Sequence, residues 1–187
     1  MLKRNCFFFF ALVAIAFTVG CASTFSIVKE NPSSPKLSGY KTIYVGWLDL
    51  RENDWKLYGY ASKDQWVTAI KTANISVLQE YLKQDLPGKT ITGASSKSDT
   101  FSGNSDLYLK FAFNKINQNF NYGWGGVDEL LVDVEFIEGK TGKVVYTASI
   151  VTTQNAAFPR GHRGWTFEAR LDIELYNLSW GLAEKLK

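Results

Sequence analysis

Histidine is almost missing from this chain: His162 is the only one, and cysteine occurs twice, as Cys6 and Cys21. A usual zinc site takes several ligands, drawn mostly from His and Cys. One histidine and one cysteine outside the leader cannot supply that set, so no metal and no other cofactor is expected. Cys6 lies in a segment read below as a removed signal. Cys21 is then left without a partner in the chain, which excludes a disulfide framework. A strong charge of either sign is missing too. The formal net charge is +3, and loss of Lys3 and Arg4 with the signal brings it from +3 to +1. Nucleic-acid binding shows as a strongly basic stripe, so no nucleic-acid partner is expected. No serine sits in a nucleophile elbow. Gly123, Gly125 and Gly126 do not lead from a strand into a helix with a lysine, as a phosphate loop requires.

What is present begins at the N-terminus. Lys3 and Arg4 give a cationic start, and Phe7 to Val19 form an unbroken apolar and small-residue run that ends at Gly20 and Cys21. That is the layout of a secretory signal. The run is shorter than the roughly 18 to 20 apolar residues of a membrane-spanning helix, and no stop-transfer charges follow it.

The junction Thr18-Val19-Gly20-Cys21 resembles the lipobox of bacterial lipoproteins, with threonine where leucine is commonest. The resemblance implies cleavage after Gly20 and a covalent lipid on Cys21. Several acyl chains hold a protein stably, whereas one holds it only marginally. Ala22 and Ser23 lack the acidic residue that retains relatives in the inner membrane. The resemblance therefore implies the outer membrane, on its periplasmic side or surface, in an organism that has one. The expected divisions are residues 1–20 as signal, 21–39 as lipidated cysteine and extended tether, and 40–187 as a single domain. The Pro, Ser, Asn and Gly content around Pro32-Ser33-Ser34-Pro35 motivates the tether, whose eighteen residues after Cys21 would reach roughly 60 Å.

Alternation and helical spacing give the rest. Lys41 to Leu48 reads as a strand, with Ile43, Val45 and Trp47 on one face. Ser62 with Gln65 makes a capping box for a helix over 62–86. Its apolar stripe carries Trp66, Ile70, Ala73, Val77 and Tyr81, widened by Leu78 and Leu82, and Leu86-Pro87-Gly88 ends it. A short strand is placed at Thr90 to Thr92. Longer strands follow over 106–114, 129–137 and 143–151, with a turn at Gly139-Lys140-Thr141-Gly142. Thr166 caps a final helix with Phe167, Leu171, Leu175, Leu178 and Leu182 on one stripe. Ile173, Tyr176 and Trp180 form a second stripe. The order β-α-β-β-β-α predicts an α+β two-layer sandwich, a mostly antiparallel sheet with two helices on one face.

With a lipid cysteine, a strand ending Trp47-Leu48-Asp49, a long helix, and a hairpin reading Val134-Glu135-Phe136-Ile137-Glu138-Gly139-Lys140-Thr141-Gly142-Lys143-Val144-Val145, the chain is similar in pattern to small α+β envelope lipoproteins of the curli-secretion and penicillin-binding-protein-activator type. That similarity implies an envelope binding or assembly role and no enzymatic activity.

Two surfaces are candidates for contact. Phe120, Tyr122 and Trp124 lie among Asn and Gly at a hairpin tip, where exposed aromatics suit a partner or membrane interface. The competing reading folds them over the sheet as core. Arg160, His162 and Arg163 precede a helix start and could hold an anion, against a merely solvated loop. Asp133 with Glu135, and Asp172 with Glu174, read as solvent-exposed acid pairs rather than catalytic ones. The expected function is a membrane-anchored, non-enzymatic binding or assembly module whose partners are membrane lipid and another envelope protein. The alternatives are a carrier or sensor for a small amphiphile or lipid, and an unrecognised hydrolase.

Overall fold

The computed structural model describes residues 24–33, 36–46, 49–51, 59–93, 106–117, 127–155 and 167–187. The strands are Thr24–Asn31 (β1), Thr42–Val45 (β2), Asp49–Leu50 (β3), Thr90–Gly93 (β4), Leu107–Asn117 (β5), Val127–Glu138 (β6) and Val144–Asn155 (β7). The helices are Lys63–Asp85 (α1) and Phe167–Leu186 (α2). All the strands join one sheet in the order β1-β7-β6-β5-β2-β4, with β3 also beside β5. The half containing β1, β7, β6 and β5 is antiparallel, while β2, β3 and β4 enter in parallel. The expected α+β class is what the chain adopts.

Period-two alternation decides which face is covered. Leu130, Val132, Val134 and Phe136 of β6 are buried, and so are Leu107, Leu109, Phe111 and Phe113 of β5 and Tyr146, Ala148 and Ile150 of β7. They form one core with Trp66, Ile70, Leu78 and Leu82 of α1 and Leu171, Leu175, Leu178 and Leu182 of α2. Burying side chains of this size stabilises by about 1.5–3 kcal/mol each. Ser62 caps α1 by accepting from the Gln65 N–H at 3.2 Å, and the Gln65 side chain accepts from the Ala61 N–H at 3.0 Å. The β6–β7 turn closes on Gly142, whose φ of +68° suits a residue without Cβ.

The stretch expected to be a tether is built differently. Residues 24–31 pair antiparallel with β7 as an edge strand. Phe25 and Ile27 pack against the core. Phe25 lies so close over Gly181 of α2 that a Cβ there would overlap its ring. Glu30 accepts from Tyr146 Oη at 2.7 Å and from Lys185 Nζ at 2.8 Å. A register shift between Ile27 and Lys29 turns Val28 outward, 67% exposed. That shift breaks the alternation by which a strand is recognised.

Candidate functional site

The strand directions bring many chain ends together. Thr24 pairs with Thr153, Asn117 with Glu129, and Val127 with Asn155. β3 runs parallel to β5, and the Arg51 N–H donates to the Phe113 carbonyl at 2.9 Å. The start of α2 is at this end as well, since Arg170 meets Asp128 and the Phe167 ring stands edge-on to Tyr60 at 6.1 Å. The start of β1, the exit of β3, the β5–β6 connection and the β7–α2 connection therefore share one end of the sheet.

Phe120, Tyr122 and Trp124 belong to the β5–β6 connection, and Arg160, His162 and Arg163 to the β7–α2 connection. All six, like Cys21 and residues 1–20, lie outside the described residues. The flanks of both connections are described, and they are neighbours across β6 and β7.

Beneath the first turns of α2 is a cluster of buried polar side chains that the sequence reading missed. Asp128 on β6 is fully buried, and Arg170 reaches it with Nε at 2.6 Å from Oδ2 and with Nη2 on Oδ1. This is a fork-to-carboxylate pairing. Next to it, Glu174 is 2% exposed and accepts through Oε2 from the fully buried Thr152 hydroxyl on β7. Glu174 Oε1 and Asn177 Nδ2 are buried without a hydrogen-bond partner among the described residues. Burial pushes the Glu174 carboxyl up to about 8; the Thr152 hydrogen bond opposes this, Asp128 and Glu129 add to it, and Arg170 opposes it. The expectation that Asp172 and Glu174 are solvent-exposed is thus corrected for Glu174. Asp172 is partly buried and accepts from Tyr81 Oη at 2.9 and 3.0 Å. The signal was available: Arg170 and Glu174 fall on the same helical stripe as Phe167, Leu171, Leu175 and Leu178.

The opposite face of the sheet is polar around Asp133. A shallow depression there is lined by Lys29, Arg51, Asp133, Glu135, Thr147 and Ser149. Asp133 is more than an exposed acid. It accepts from Ser149 Oγ at 2.6 Å and pairs with Arg51 at 2.9 Å. Burial would raise its carboxyl, but bonds from Ser149, Asn114 and Arg51 outweigh that and hold it below the usual carboxylate range. An acid tied down in this way is poorly suited to act as a general acid near neutral pH. Of the second stripe on α2, Ile173 is buried, while Tyr176 and Trp180 are exposed, with Tyr176 edge-on to Tyr81 at 5.3 Å. Among the described residues no helix is long and apolar enough to cross a membrane.

No known family model and no curated protein sequence matches the chain. Among solved structures it is similar to a PelC dodecamer from Paraburkholderia phytofirmans, with 15% identity, a TM-score of 0.48, and 87% of this chain and 97% of that chain covered. It is also similar to protein XCC0632 from Xanthomonas campestris, described by the DUF330 family model, at 10% identity and a TM-score of 0.44 over 81% and 85% of the two chains. Lipoprotein GNA1162 from Neisseria meningitidis aligns at 11% identity and a TM-score of 0.35 over 74% and 96%. Likeness at this level does not transfer function.

Proposed function

We propose that this protein is a lipid-anchored envelope protein that works, without catalysis, as a binding or assembly module held against its membrane. Cys21 carries the lipid. The observation that supports this reading is the position of β1. It begins at Thr24, three residues after Cys21. Three extended residues span only about 10 Å. The end of the sheet where β1 starts would then face the bilayer, and the domain would not swing on a long leash. The connections carrying Phe120, Tyr122, Trp124 and Arg160, His162, Arg163 both depart from that end. Aromatic and cationic side chains are the types that suit a lipid–water interface. In a diderm cell the outer membrane is the proposed location.

Metabolic labelling with a clickable palmitate tests the anchor. The wild-type chain is expected to label and to sediment with membranes. Cys21→Ser is expected to lose both properties, and an unlabelled wild-type chain would end the proposal. Crosslinking in native membranes tests the module. Capture of an envelope partner by the wild-type chain, reduced by Tyr122→Ala with Trp124→Ala, is the expected outcome.

A further inference from the structure

The buried cluster under α2 has an arrangement that simple packing does not require. Two carboxyl groups, Asp128 and Glu174, share one interior with Arg170, which already grips Asp128 through two nitrogens. Glu174 has one oxygen on Thr152 and the other, among the described residues, on no partner, at 2% exposure. A buried ionised carboxylate needs a cation or several donors, and a neutral carboxyl does not.

The charged groups around Glu174 can be named element by element. From β6 come Asp128 and, further off, Glu129, which is itself paired with Lys115 at 3.2 Å. From β7 comes the uncharged Thr152. On α2 itself are Arg170 and Asn177. The acid of β1, Glu30, is bonded to Tyr146 and to Lys185 near the far end of α2. From α1, Tyr81 is bonded to Asp172, and Asp85 accepts from Ser179 at 2.8 Å. Among the described residues, none of these offers Glu174 a cation of its own.

We propose that Glu174 is a proton-operated latch on the first half of α2. With the proton on, the helix stays seated on β6 and β7. With the proton off, a second negative charge sits beside Asp128 in the interior. The helix then opens outward until water reaches the carboxylate. The segment released is the one next to the β7–α2 connection, so the latch governs the end of the sheet where β1 starts.

Amide hydrogen exchange on the full chain tests it, at about pH 6 and about pH 9, after correction for intrinsic rates. In the wild-type chain, protection over residues 170–178 is expected to fall by on the order of tenfold to a hundredfold between the two. In Glu174→Gln, which cannot ionise, protection is expected to change less than about twofold. A flat wild-type profile, or the same fall in Glu174→Gln, overturns the proposal. Carboxyl-carbon resonances of the labelled wild-type chain give a readout that does not rely on the variant folding. A Glu174 midpoint above about 6 is expected, and one below about 5 overturns the latch.

Discussion

Glu174 makes folding stability depend on pH in a direction opposite to most carboxylates. Burial pushes its native carboxyl up to about 8, against 4.5 for an unhindered glutamate. Between those values the folded chain holds a proton that the unfolded chain has released. Stability therefore declines as pH rises from about 4.5 towards 8 and levels off above. Urea unfolding is expected to show a loss on the order of 5 kcal/mol across that window, and Glu174→Gln is expected to remove it. The neighbouring ion pair gives a second expectation. Arg170→Met alone takes the guanidinium away from a buried Asp128 and should cost about 3–5 kcal/mol. Adding Asp128→Leu should restore most of that loss, because an apolar pair replaces an ionic one at little cost. Arg170 was readable as a helix member from spacing, while Asp128 falls just outside the strand expected over 129–137. Their burial was not readable, because a charged residue is taken for surface unless its stripe is followed through the leucines around it.

Local patterns carried some elements well and others not at all. The strands β5, β6 and β7 announce themselves by strict alternation, and α1 by Ser62 and Gln65. β1 does not. Only Phe25 and Ile27 alternate before the register shift at Val28, and a Pro-Ser stretch follows. What makes these residues a strand lies far along the chain, in β7 and on α2. Gly181 is the clearest sign of that dependence. Mid-helix glycine costs roughly 1 kcal/mol relative to alanine, and here the missing Cβ leaves room for the Phe25 ring. Gly181→Ala is therefore expected to destabilise by about 1–3 kcal/mol despite its better helix propensity. Thermal unfolding should show a smaller loss when Phe25→Ala is also present, since the two changes meet at one contact.

For the molecule as a whole, the fold class was legible because layers follow from the order of periodic elements. The gathering of chain ends was not. It depends on strand order, and strand order rests on contacts such as Lys115 with Leu131 or Thr24 with Thr153, which no local pattern specifies. The aromatic and Arg-His-Arg segments could be picked out by composition, but that their described flanks lie at one end of the sheet could be seen only once β1, β6 and β7 were laid side by side.

A version of this protein made without Cys21 would have to start upstream of Thr24 to keep β1 whole. Trimming at residue 40, where the Pro-Ser composition invites a cut, deletes an entire outer strand along with Phe25, Ile27 and Glu30. The long strand β7 would then display a bare row of amide and carbonyl groups, a template for sticking to other molecules. Light scattering on the two forms should reveal it: a single species for a product beginning at Ala22, and large particles for one beginning at Tyr40.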